Sequence, residues 1–108
     1  MLACVPVLPD GSVDPRWGRA DRVAIAEVTT AGVESWQELD VGWGALRESG
    51  PEGSHHARIA RFLREHGVEA VVANHMGAGM EHMLGKMGLA VRLGAAGPAR
   101  TAALSALE

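Results

Sequence analysis

The residues of this chain best placed to do chemistry cluster at positions 71–84, VVANHMGAGMEHML. A short apolar run ends there in a glycine-punctuated turn, and a helix-period pattern starts at once. A strand, a glycine loop and a helix in that order present unpaired backbone N–H groups to an anion or cofactor. Gly77, Ala78 and Gly79 form the loop and are the candidate cofactor-binding amides. His75 and Met76 add an imidazole nitrogen and a thioether sulfur, donors that suit soft metals and metal–sulfur clusters. His55 and His56, at the start of another helical pattern, are further candidate metal ligands. Trp17, Gly18 and Arg19 form a third group in a loop broken by glycine and proline. Arg19 could meet an anion there, and Trp17 is either a hydrophobic lid or a loop anchor.

Each candidate also has a plain structural reading. His75 reads equally as an exposed loop histidine, and His55 and His56 as a solvated first turn. A cationic histidine at a helix N-terminus opposes the macrodipole, which favours neutral, ligand-ready imidazoles in that pair. His66 lies near a helix C-terminus, where a cationic ring is favourable, and reads as structural. His82 shares a helix face with Lys86 and reads as solvated. Met80, Met83 and Met87 fall with Leu84 at helical core spacing and read as core filler. Met76 breaks that stripe and keeps a functional reading. Gly77-Ala78-Gly79 is neither a Walker nor a dinucleotide fingerprint, and turn geometry alone explains it as well. No catalytic Ser/His/Asp or Cys/His set emerges, because Cys4 sits in an apolar run and reads as buried. Asp10 follows the first strand, where a two-metal nuclease would need an acid. The fourth strand ends in Asn74 instead, with no second carboxylate beside it. No catalytic residue is expected.

Elements that would position these groups are legible in the pattern. Residues 2–8 read as a buried strand in which Pro6 marks a missing ladder donor or a bulge. Residues 10–19 are a loop, expected to be mobile and poor in apolar anchors. In residues 22–28, Val23 and Ile25 alternate with Ala24, Ala26 and Val28, and residues 33–41 alternate too. Short connections predict an antiparallel meander of these three strands. Residues 42–53 are a connector pinned by Trp43 and Leu46. Ser54 caps a helix with Ile59, Phe62 and Leu63 inward and Gly67 at its C′ position. Residues 70–73 and 90–93 are buried strands separated by a helix over 79–87, and Pro98 opens a last helix reaching Leu107. The two helix–glycine–strand segments echo each other and predict parallel strands with right-handed crossovers. The order βββαβαβα makes a mixed five-stranded α/β sheet with helices on both faces. The cleft should open between loops 10–19 and 74–79.

Composition bounds the function. The 108 residues, 47% hydrophobic, fit one domain over 1–108. A net charge of −3 with scattered arginines predicts no general affinity for nucleic acid or anionic membrane. One cysteine excludes an internal disulfide and a Cys-rich zinc site. Without a membrane-length apolar stretch or a signal-peptide pattern, a cytoplasmic location is expected.

Six stretches, taken in order, carry a family resemblance. LACVPV at 2–7 is similar to an opening strand, and PRWGRA at 15–20 to a His-Phe-Gly-Arg-Ala motif. HGVEAVVA at 66–73 resembles a Gly-Val-Asp-Val-Val-Ile strand. The glycine turn at 77–79, then Met83-Leu84 and Gly88-Leu89-Ala90-Val91, match a glycine-rich turn, helix and last strand. Together they resemble the dinitrogenase iron–molybdenum cofactor biosynthesis domain family. The resemblance implies a ribonuclease-H-like three-layer α/β/α fold. It also implies non-catalytic binding or carriage of an iron–sulfur or molybdenum-containing cluster, with cluster donor or acceptor proteins as partners and a relation to nitrogen fixation. Arg16 stands where the family often has histidine, so His75, His55 and His56 are the substitutes to consider. Two other readings stay open from the residues: a metal-free module for a small anion or a protein, and a nuclease-like enzyme. The sequence does not give the oligomeric state.

Overall fold

Alternation in β2 decides the layering. The computed structural model describes residues 1–47 and 50–108, so positions 48 and 49 of the expected connector lie outside the described residues. Strands β1 (Leu2–Pro6), β2 (Arg22–Thr29), β3 (Gly32–Asp40), β4 (Ala70–Val72) and β5 (Ala90–Arg92) lie in the order β3-β2-β1-β4-β5. β1, β2 and β3 pair antiparallel, whereas β4 runs parallel to β1 and β5 parallel to β4. Val23 and Ile25 of β2 enter one core cluster, and Ala24, Ala26 and Val28 enter the other. Helices α2 (Glu52–Glu65) and α3 (Ala78–Lys86) supply Ile59, Leu63, Met80 and Leu84 to the first cluster. On the opposite face, α4 (Ala99–Ala103) and a 3-10 turn at Leu104–Leu107 supply Ala99, Ala103 and Ala106. Helices therefore cover both faces of the mixed sheet.

Two helix ends explain the internal echo. After α2, Gly67 takes φ +65, with its N–H on the Arg64 carbonyl and the Val68 N–H on the Leu63 carbonyl. After α3, Gly88 takes φ +80 and the amides of Gly88 and Leu89 bond to Gly85 and Leu84. Both are the glycine-dependent helix stop that turns the chain into a strand.

Several expectations need correction. A short helix α1 (Trp43–Leu46) lies in the connector and adds an element to the expected order. Trp43 pins it at 2% exposure, but Leu46 is 39% exposed. Pro51, not Ser54, caps α2: its extended backbone aims its carbonyl at the Ser54 and His55 amides. β5 is half-buried because it is an edge strand, and Leu93 beyond it is exposed. Loop 10–19 is well anchored. Val13 and Trp17 are buried within it, and Val13 and Asp14 donate backbone hydrogen bonds to Gly97 and Pro6. No helix among the described residues is long and apolar enough to cross a membrane.

Candidate functional site

β1 and β4 run parallel, so the loops after them leave the sheet on the same edge, where open α/β sheets bind ligands. The chain after β4 is fixed first by Asn74. Its side-chain amide donates to the Ala95 carbonyl at 3.0 Å, and its own carbonyl accepts the Gly94 amide. His75 is then exposed, Met76 turns inward to 7% exposure, and Gly77 is the extended N-cap residue of α3. The loop after β1 ends in a 3-10 turn, Trp17–Arg19. Between the two loops lies a cleft of about 490 Å³.

This cleft unites most of the expected groups. Trp17, Gly18, Arg19, His56, His75, Met76, Gly77, Ala78 and Gly79 all line it. Met80, expected only as core filler, is 5% exposed yet also contributes to the lining. His55 does not reach the cleft. It is 2% exposed, with Nε2 at 2.7 Å from the Gly18 carbonyl and Nδ1 at 2.9 Å from the Arg58 guanidinium. Both ring nitrogens are committed, so His55 is no metal ligand in this arrangement. Successive helical residues diverge by about 100°, which turns His56 to the cleft and His55 behind its wall.

Trp17 is an anchor and not a lid. It is 1% exposed and meets Trp43 edge-on, with ring centroids 5.1 Å apart. Its indole N–H has no hydrogen-bond partner among the described residues. Two arginines that the sequence reading gave no binding role, Arg16 and Arg47, also line the cleft. Arg16 is steered by Asp14, itself 2% exposed, whose Oδ1 accepts the Arg16 amide at 2.9 Å and Nε at 3.3 Å. The signal for this was Asp-Pro-Arg, an acid two residues before the arginine it can turn. Arg47 had no comparable signal.

The chemistry of the lining is that of an anion site. Three arginines, Arg16, Arg19 and Arg47, line the cleft with the N-terminal end of α3, and no carboxylate-bearing residue is among the lining residues described. Among the described residues no group of three His, Cys, Asp or Glu could hold a metal ion. Cys4 is fully buried, and burial pushes its thiol far above the ordinary range, so it offers no thiolate. The residues therefore fit poorly to a bare cation. Their chemistry suits a negatively charged guest.

Over residues 1–108 the chain matches the family described as dinitrogenase iron-molybdenum cofactor, and it belongs to that family. Three solved structures share its fold. The crystal structure of PH0822 is 18% identical with a TM-score of 0.76, over 97% of this chain and 87% of that one. The apo form of the orange protein from Desulfovibrio gigas is 19% identical with a TM-score of 0.71, over 98% and 82%. An NMR structure of a putative NifB protein from Thermotoga is 20% identical with a TM-score of 0.66, over 94% and 82%. At these identities the likeness is one of fold. No curated protein matches the chain.

Proposed function

We propose that this chain binds and carries an anionic metal–sulfur guest, an iron–sulfur or molybdenum-containing cluster or a thiomolybdate-like oxyanion, without catalysing a reaction on it. The observation that carries the reading is the cleft that Arg16, Arg19 and Arg47 line together with the start of α3, with no carboxylate in the described lining. The amides of residues 77–79 and the helix dipole favour negative charge, and thioether sulfur from Met76 and Met80 suits a soft metal. His75 is the direct ligand, Met76 a weak second, and Arg19 with Arg16 the counter-charge. Arginine at position 16, where the family resemblance implies histidine, shifts the contact from coordination toward ion pairing. His56 completes the wall. Membership in a cofactor family and a shared fold with the orange protein and a putative NifB protein support a place in metallocofactor assembly. A ribonuclease-H-like label for the fold belongs to the same reading, supported by a meander that continues into two parallel strands. So do a single unit over 1–108, a cytoplasmic location, and cluster donor and acceptor proteins as partners.

The metal-free alternative, a module for a small anion or a protein surface, is favoured by the lack of any three-ligand group among the described residues. Anaerobic reconstitution with an iron–sulfur cluster or tetrathiomolybdate separates the two. Retention by the wild type and loss in His75→Ala supports the carrier. Equal retention removes His75 as ligand, and no retention by either favours the metal-free module.

A further inference from the structure

We propose that His55 is a positioning residue that yokes the two arginine-bearing walls of the cleft; the inference rests on the reading that the cleft holds an anion. One wall is the turn Trp17–Arg19, and the other is the end of α1 followed by Arg47. Near their bases the walls are already joined, with the Trp43 amide on the Ala20 carbonyl at 3.0 Å. The walls also pack on each other, with Gly44 against the Arg19 carbonyl and Trp17 edge-on to Trp43, and a chain of polar contacts through α2 joins them further out. The Gly18 carbonyl meets His55 Nε2 at 2.7 Å, His55 Nδ1 meets the Arg58 guanidinium at 2.9 Å, and the same Arg58 nitrogen donates to the Leu46 carbonyl at 3.4 Å. Gly18 immediately precedes Arg19, and Leu46 immediately precedes Arg47.

The partners dictate the form of the ring. A carbonyl only accepts, so Nε2 carries the proton toward Gly18. A guanidinium only donates, so Nδ1 offers its lone pair to Arg58. His55 is thereby the neutral Nε2–H tautomer, and at 2% exposure it has no water to replace either partner. Neither apolar packing nor metal binding requires a group with one donor and one acceptor at this position. Joining an acceptor on one wall to a donor that reaches the other does require it. The consequence is spacing: the carbonyls before Arg19 and Arg47 are held at fixed reach from α2, so the two arginine positions are set before any guest arrives.

The test uses the full chain and tetrathiomolybdate, read by equilibrium binding well below the melting temperature. His55→Ala should weaken binding by about tenfold, the effect of losing one well-made buried hydrogen bond. His55→Gln keeps an N–H for Gly18 and should recover most of that loss. Arg58→Met keeps the length of the arm, removes its donors and should weaken binding less than His55→Ala. It also serves as the second variant if His55→Ala does not fold. Amide hydrogen exchange at residues 18–19 and 46–47, read without ligand, should speed up in His55→Ala and at 46–47 in Arg58→Met. A lower melting temperature with unchanged affinity and unchanged exchange overturns the yoke and leaves His55 a packing residue. If the wild type binds no tetrathiomolybdate, the carrier reading falls. The exchange comparison still decides the yoke, and unchanged rates overturn it.

Discussion

Two tryptophans on opposite faces of one sheet are treated differently. Trp36 packs against the α4 face, donates its indole N–H to Glu38 at 2.9 Å, and lies 4.9 Å beneath the Arg100 guanidinium. Trp17, on the α2–α3 face, is almost wholly buried, and its indole N–H has no partner among the described residues. The faces differ in the same sense. The α4 face is filled by alanine and valine. The α2–α3 face holds both remaining tryptophans, Met76, Met80, Met83 and Met87, and the buried His55 that backs the cleft wall. The cleft opens on the α2–α3 face, so large and polar side chains there border open space, whereas small apolar residues close the α4 face.

Packing variants test that contrast with the largest effects. Leu84 is fully buried under the sheet, and Leu84→Ala should destabilise by about 2–5 kcal/mol in urea unfolding. Met80→Ala should fall at the lower end of that range, because Met80 borders the cleft and its neighbours can relax into open space. On the α4 face the reverse change should hurt: Ala103→Leu should cost about 1–3 kcal/mol by overpacking. A neutral Ala103→Leu would mean that the small-residue face has slack, and the contrast would fail. His75→Ala sharpens the comparison from the other side. His75 is exposed, so stability should move by no more than about 0.5 kcal/mol while retention of tetrathiomolybdate drops. A large loss of stability would make His75 part of the frame.

The sheet was legible because alternation in β2 assigns its faces without ambiguity, and the helix stops at Gly67 and Gly88 because only their backbone fits there. The loop at 75–79 was legible from strand, glycine and helix in sequence. The roles of the two adjacent histidines were not legible. His55 stands four residues before inward Ile59, and His56 three before Ile59 and seven before inward Leu63, so helix spacing places both near the inward face. What separates them is the Gly18 carbonyl that His55 meets, a partner 37 residues away. Arg47 was not legible, since its place in the cleft depends on how α1 folds against residues 17–20, a long-range contact with no local pattern. The anchoring of loop 10–19 was missed for a related reason: Val13 and Asp14 are tied by backbone bonds to Gly97 and Pro6, partners far away or across a turn.

The smallest effect tests the satisfied tryptophan. Glu38 is held below its ordinary carboxyl pKa, first by the Trp36 indole N–H and then by the Arg22 guanidinium, with Arg100 adding a weaker charge. Folding therefore favours the carboxylate, and its folded pKa lies below its unfolded one. The stabilisation is complete above the unfolded value and is lost as pH falls through the lowered folded value. Because the side chain is 37% exposed, solvent screening limits the contribution to no more than about 1 kcal/mol. Glu38→Gln should remove that acid-side loss while leaving neutral-pH stability only slightly reduced, as read from urea unfolding at about pH 7 and about pH 3. The indole N–H can still find the Gln carbonyl oxygen, so Trp36 stays satisfied and only the titration disappears. Should the variant keep the full acid-side loss, another carboxyl carries it and Glu38 is not the group that titrates beside Trp36. The cleft face offers no matching experiment, because no acid is hydrogen-bonded to the Trp17 indole N–H among the described residues.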